Sequence, residues 1–364
     1  LEMQMQLDLY VDYLLCSTIE TTATGLSSLT DNAISHDKVT RFLSARDYTA
    51  SDLWKIAKPM HESIKDEDGV LIIDDSIQEK PYTDENELIA WHHCHTKNRA
   101  VNGINFVSAL YHSPKGVVPV GYELVRKTMK VVDKKSGKER RKSPVSKHKN
   151  FRDLVCNAVT NNVKFKHVLA DSWYSSIENM NFIKNEMKRH FIMPVKSNRK
   201  VALSESDKAA GKFVRIDSLE PRENVLVRLE GVDFPLRFTR QVFKNEDGST
   251  GILYLVSSDI ELTNEQIQTI YKKRWKVETY HQSLKNNASL AKSPAKKPRT
   301  QANHLFASLC AYIRLEQISA RLAMNHFSLK AKIYLRALKV AMLELQKLSN
   351  TIISQIGVSD LAPA

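Results

Sequence analysis

A chain of 364 residues with 42% hydrophobic side chains has the apolar material for two or three compact units, which argues against wholesale disorder. Lys and Arg outnumber Asp and Glu by 54 to 41, and the resulting net charge of +13 favours a polyanionic partner. Cys16, Cys94, Cys156 and Cys310 are widely spaced with no CxxC pair, which argues against a disulfide framework or zinc ribbon and fits a reducing compartment. No apolar run approaches the ~18 residues of a membrane span, and the first residues lack the basic-then-apolar order of a signal peptide, so a cytoplasmic chain without membrane contact is expected.

In chain order, residues 5–67 read as helical. Leu7, Tyr10, Val11, Leu14 and Leu15 follow helical spacing, and Ser35 and Thr49 each open an amphipathic segment as cap-type residues. These two short helices, separated by 44–48, suit a helix-turn-helix pair that carries Arg41 toward DNA; an ordinary helical lobe is the competing reading. The pattern then turns to strands at 70–76, 106–113 and 117–125, with a turn at 113–116. A helix at 151–161, a strand at 167–171, a helix at 177–188 and a strand at 191–196 follow. This order predicts an α/β fold, a mixed sheet flanked by helices. Its first and fourth strands are near-continuous apolar runs, as strands buried on both faces require. Residues 198–259 read as a β-rich insertion with its own small sheet, including a hairpin turn at 245–248. A Pro/Lys linker at 291–299 leads into C-terminal helices. The expected organisation is a helical N-terminal region (1–68), a catalytic core (69–197 and 260–290) interrupted by the insertion (198–259), and a helical C-terminal region (291–364).

The stretch from Tyr271 to Lys285 carries the strongest chemical signal. At about 100° per residue, Tyr271, Arg274, Glu278 and Lys285 fall within roughly 60° of one another on one helix face. A carboxylate flanked by a guanidinium, an ammonium and a phenol suits a metal-bound phosphodiester better than a core. Two aspartates that follow apolar β-type runs, Asp75 and Asp171, are its expected partners. Hard divalent cations take oxygen ligands, and two such ions about 3.5–4 Å apart can activate the attacking and leaving oxygens of a phosphodiester. Asp74 competes with Asp75, because neighbouring strand residues point to opposite faces.

Two basic segments suit a DNA track. Between Arg126 and Arg152 there are twelve Lys and Arg against two acids, Asp133 and Glu139. This segment reads as a long exposed loop or clamp with Lys127, Lys130, Arg140, Arg141 and Lys142 toward DNA; a solvated disordered loop is the competing reading. The second segment, with Lys292, Lys296, Lys297 and Arg299, continues from the polar helix face. Trp91-His92-His93-Cys94-His95 resembles a metal cluster only superficially, since adjacent residues rarely converge on one tetrahedral ion.

The spacing Tyr271-x2-Arg274-x3-Glu278-x6-Lys285 resembles the signature of the insertion-sequence-4 family of transposases, within the DDE (Asp-Asp-Glu) transposases and integrases. Ile73-Asp74-Asp75-Ser76 is similar to the family's first-aspartate region, usually Asp followed by Thr or Ser, which selects Asp75. Leu169 through Tyr174 is similar to the second. The resemblance implies a ribonuclease-H-like core with Asp75, Asp171 and Glu278 as catalytic ligands of two Mg²⁺ ions, replaceable by Mn²⁺, and with Tyr271, Arg274 and Lys285 gripping phosphates. It further implies a cut-and-paste enzyme of a prokaryotic cell, associated with the nucleoid, that acts on terminal inverted repeats and target DNA as a homodimer, possible hairpin ends included. A hydrolytic nuclease of the same fold and a non-catalytic DNA-binding derivative are the alternatives.

Overall fold

The computed structural model describes residues 2–356, apart from Thr96 and the segments 133–136, 221–224 and 245–247. The chain opens with four helices, α1 (Glu2–Cys16), α2 (Ala23–Leu29), α3 (His36–Ala45) and α4 (Ala50–Ile64). Ser35 and Thr49 cap α3 and α4 as their residue types require, Thr49 through a reciprocal capping box with Asp52. The strands β1 (Val70–Glu79), β2 (Ile89–Cys94), β3 (Arg99–Ser113) and β4 (Gly116–Leu124) follow. A separate hairpin of β5 (Met129–Val132) and β6 (Glu139–Lys142) leads into α5 (Lys147–Thr160). Next come β7 (His167–Leu169), α6 (Ile177–Asn181) with a π turn at Phe182–Glu186, and β8 (His190–Val195).

The β-rich segment supplies β9 (Lys200–Ala202), α7 (Glu205–Ala209), β10 (Val214–Arg215), β11 (Leu226–Leu229), β12 (Leu236–Lys244) and β13 (Thr250–Ser257). The chain closes with α8 (Asn264–Lys272), α9 (Lys276–Asn286), α10 (Pro298–Leu322) and α11 (His326–Ile356). Pro298 stands at the first turn of α10, where a missing N–H costs nothing.

The strands run in the order β10-β9-β11-β12-β13-β8-β7-β1-β3-β2, with β4 on the far part of β3. β7 lies parallel to both β1 and β8, whereas β1–β3, β3–β4 and β8–β13 are antiparallel. This mixed sheet with helices on it is consistent with a ribonuclease-H-like DDE fold. Val70–Ile73 and Val168–Leu169 are almost wholly buried, as expected of central strands covered on both faces.

Two expectations change. The β-rich insertion is not a sheet of its own: β13 pairs along β8, from Tyr254↔Val195 to Ser257↔Ile192, and so closes an edge that would otherwise expose unpaired backbone. Its strands β12 and β13 pair in register up to Lys244↔Thr250, while the hairpin turn expected at 245–248 lies largely outside the described residues. The basic segment after Arg126 is not simply a loop, because β5 and β6 form a ladder from Met129↔Lys142 to Val132↔Glu139. Trp91–Cys94 belongs to β2, so His92 is buried and His93 exposed on the opposite face, which explains why they do not converge.

The two helical ends form one layer. α10 packs against α1, α3, α4 and β4. The Tyr10 hydroxyl meets His304 Nδ1 at 2.9 Å, and the rings of Tyr48 and Phe306 stack at 4.3 Å. The buried Asn303 side chain donates to the carbonyls of Leu43 and Arg46 at 2.8 and 2.7 Å and accepts from the Tyr48 N–H at 3.3 Å. Asn303→Ala is therefore expected to destabilise the protein by about 2–3 kcal/mol, read from urea unfolding, because it leaves three backbone groups, those of Leu43 and Tyr48 buried, without this partner. α4 buries the face that holds Leu53, Trp54, Ala57 and Met60, and α3 buries Val39, Phe42 and Leu43 while leaving Arg41 exposed.

Candidate active site

The site forms where β1 outruns β7. Their parallel pairing ends at Ile72↔Leu169, while β1 continues against β3 as far as Glu79↔Gly103. Asp74 and Asp75 thus lie just past the carboxyl end of β7, where the chain turns through Ala170 and Asp171. Such strand ends are the usual ligand positions of α/β sheets. Strand alternation sends the two aspartates to opposite faces. Asp74 pairs with Ser108, whose hydroxyl meets His281 of α9 at 3.3 Å. Asp75 shares its face with Asn105 and the start of α5.

On the α9 face, Arg274 Nη1 lies 3.6 Å from Asp74 Oδ2 and 3.7 Å from Glu278 Oε1. Burial, then the neighbouring charges of Asp171 and Asp75, push the Asp74 carboxyl up to about 7, with Arg274 only partly offsetting them. Burial also raises Asp171, although the backbone N–H groups of Trp173 and Tyr174 donate to its Oδ1 at 3.0 and 3.3 Å. Burial would lower the Arg274 guanidinium, but Tyr271, Asp74 and Glu278 keep it firmly charged. Glu278 itself is exposed and reaches this group through Arg274.

The expected single helix is broken. A 3-10 turn at Lys273–Trp275 separates α8 from α9, and Arg274 within it still lies 5.9 Å from the Tyr271 ring centre and 3.7 Å from Glu278. Tyr271 is buried; its hydroxyl donates to the Ala170 carbonyl at 3.4 Å, and burial pushes its phenol up to about 12. Tyr271 thus buttresses the Asp171 turn. Lys285 is half-buried, and desolvation lowers its pKa despite Glu79 and Glu278 nearby.

The α5 face holds a second network. Asp75 Oδ2 accepts from Lys147 Nζ at 2.8 Å and from Asn105 Nδ2 at 2.9 Å, and its Oδ1 accepts from the Tyr174 hydroxyl at 3.0 Å. Burial would raise Asp75, yet Lys147 and these donors hold its carboxyl below the usual range. The structure therefore pairs Arg274 with Asp74, and turns Asp75, the aspartate selected from sequence, toward Lys147. Lys147 counts in the sequence reading only within the basic segment 126–152, and Asn105 has no place in it. Ser146 caps α5 and puts Lys147 at its first position, a signal present in the cap residue itself. Asn105 is a polar residue inside the apolar run of β3, and a buried amide there needs a hydrogen-bonding partner.

Of the basic residues expected on DNA, Arg41, Lys130, Arg140, Lys142, Lys296, Lys297 and Arg299 are exposed, and Lys127 and Arg141 are half-buried. Lys130 pairs with Glu139 across the hairpin at 2.9 Å, and Arg299 pairs with Asp47 at 3.2 Å. Lys292 is engaged elsewhere: its ammonium donates to the Ser17 carbonyl at 2.8 Å and ties α1 to the C-terminal helices.

A family model described as DDE superfamily endonuclease matches residues 2–211, more than half of the chain and including Asp74, Asp75 and Asp171. The chain belongs to that family. No curated protein matches it. Membership makes this DDE endonuclease a transposase-like DNA nuclease that breaks phosphodiester bonds, and its relatives generally use divalent metals. The matched region ends before Glu278, so this carboxylate enters the site on geometry and spacing alone.

The donor chemistry fits a divalent metal. Asp74, Asp171 and Glu278 offer carboxylate oxygens, and the Asp74 carboxyl, raised first by burial and then by the charges of Asp171 and Asp75, sits where a cation would relieve that repulsion. Asp74 and Asp171 would hold such an ion, which when bound supplies Lewis-acid activation of a phosphodiester and its attacking oxygen. Among the described residues, no three acidic, His or Cys side chains converge tightly enough to enclose an ion in this arrangement. Glu278 is the carboxylate that stays apart, held on Arg274.

Proposed function

We propose that this DDE endonuclease is a transposase of the insertion-sequence-4 type, which cuts DNA at terminal inverted repeats and joins the freed ends to target DNA. The observation that carries the reading is Arg274 held between Asp74 and Glu278 with Asp171 alongside, built from the Tyr271–Arg274–Glu278–Lys285 spacing. In this reading Asp74, Asp171 and Glu278 are the metal-holding carboxylates. Arg274 keeps Glu278 near the aspartates and can turn its guanidinium to a phosphate once the carboxylates take up cations. Asp75 anchors Lys147, and Tyr271 fixes the loop that carries Asp171. The exposed cations of α3, the β5–β6 hairpin and the 296–299 segment supply the sequence-independent grip that a strongly basic chain offers DNA. A pair of protomers would bring two ends together.

The test combines purified protein, Mg²⁺, a labelled duplex with the inverted repeat that flanks the source element, and a supercoiled plasmid. Cutting at the repeat with joining to the plasmid, lost in Glu278→Gln, is the expected result. Cutting without any joined product would leave a hydrolytic nuclease, and repeat binding with no cutting in Mg²⁺ or Mn²⁺ would leave a DNA-binding protein.

A further inference from the structure

We infer that His281, seated on Ser108, is a positioning residue for metal binding, fixing the helix that carries Glu278 against the strand that carries Asp74. The inference rests on the reading of Asp74, Asp171 and Glu278 as metal-holding carboxylates. His281 lies three residues after Glu278 on α9, and so on the same helix face. Its Nε2 stands 3.3 Å from the Ser108 hydroxyl, and Ser108 is the β3 residue directly opposite Asp74. Cross-strand partners share one face of a sheet, so the contact ties α9 to the Asp74 side of β1.

Ser108 is wholly buried within the apolar stretch Phe106–Tyr111. A hydroxyl there costs desolvation that an apolar residue would avoid, and His281 is the partner that satisfies it. The ring is fixed by its surroundings: it is buried and meets Phe106 edge-on at 5.8 Å.

Two polar ties thus hold α9 on the sheet, one on either side of Glu278 in the sequence: the Arg274–Asp74 pair and the His281–Ser108 contact. They differ in charge. Arg274 competes with any cation for the Asp74 and Glu278 oxygens, so its hold on them weakens when the site fills. His281 is kept neutral by burial, reinforced by the charge of Lys285, and neither it nor Ser108 carries a net charge for an ion to repel. This contact therefore outlasts the Arg274 tie and keeps Glu278 over the aspartates.

Residues that orient metal-holding groups typically change metal affinity about 10–100-fold when altered. Thermal melts of the full chain, without DNA and over a Mn²⁺ titration, test the role. Ser108→Ala, which deletes a single oxygen, is expected to raise the Mn²⁺ concentration for half-maximal stabilisation about tenfold, with the metal-free melt lowered by no more than about 2–4 °C. His281→Leu should behave alike, and His281→Gln, which keeps a hydrogen-bonding group at similar reach, should retain most of the Mn²⁺ affinity. An unchanged Mn²⁺ midpoint in both Ser108→Ala and His281→Leu, whatever their metal-free melts, would make the contact mere packing and overturn the inference. A wild-type melt that Mn²⁺ leaves unmoved, or raises equally in Asp74→Asn, would remove the carboxylate reading itself, and the inference with it.

Discussion

Asp74→Asn, Asp171→Asn and Glu278→Gln are each expected to slow Mg²⁺-dependent DNA cleavage by about 10³-fold or more, equivalent to about 4 kcal/mol of lost transition-state stabilisation. Metal-free DNA binding should stay within about threefold of wild type, since these groups add no favourable charge toward phosphate. Asp75→Asn separates the two faces of β1. Asp75 is engaged by Lys147, Asn105 and Tyr174, so its neutral replacement leaves Lys147 without its counter-charge. A stability loss of about 1–3 kcal/mol is expected, with cleavage at least about tenfold above that of Asp74→Asn. Single-turnover cleavage and urea unfolding of the four variants decide the matter. An inactive Asp75→Asn beside an active Asp74→Asn would move the metal-holding role to Asp75.

The second large effect is a dependence of stability on pH. The Asp74 carboxyl, pushed up to about 7, keeps its proton in the folded chain where the unfolded chain has already released it. Its contribution is therefore complete below the ordinary carboxylate pKa and is lost as pH rises through about 7. Asp74→Asn removes that loss. Between about pH 5 and pH 8, the stability difference between the variant and wild type should grow in favour of the variant by about 3 kcal/mol in metal-free buffer. The comparison must be made as a difference, because buried histidines act in the opposite direction over part of this range. His281, for example, is pushed down to about 3 by burial and resists the protonation that its unfolded form accepts. Added Mg²⁺ should close the gap by stabilising wild type selectively, as any ligand of the folded state does. A difference that stays flat from pH 5 to pH 8 would mean that Asp74 is not the strained carboxylate of the site.

Both expectations concern a site whose parts lie far apart in the chain, and their legibility differed by residue. Asp171 was readable because it ends a short apolar run, and the structure places it beyond β7. Glu278 and Arg274 were readable as an i,i+4 pair on a polar segment, and they do interact. Tyr271 was readable as a neighbour of Arg274, whose guanidinium lies 5.9 Å from its ring centre, but its burial against the Ala170 carbonyl was not, since that contact joins residues 101 positions apart. The choice between Asp74 and Asp75 rests on which face of β1 meets α9, and no local pattern encodes that. The β-rich segment showed its strands but not their destination, since pairing with β8 depends on which sheet edge is open.

The sequence by itself determined the basic charge, most of the element types, the buried central strands and the residue types available for metal and phosphate chemistry. These follow from composition, periodicity and caps, which act over a few residues. Only the tertiary structure decided that Arg274 bridges Asp74 and Glu278, that Lys147 neutralises Asp75, and that the N- and C-terminal helices share one layer. Those relations join residues that are mostly far apart in the chain, and they are set by strand register and by packing one face of an element against another.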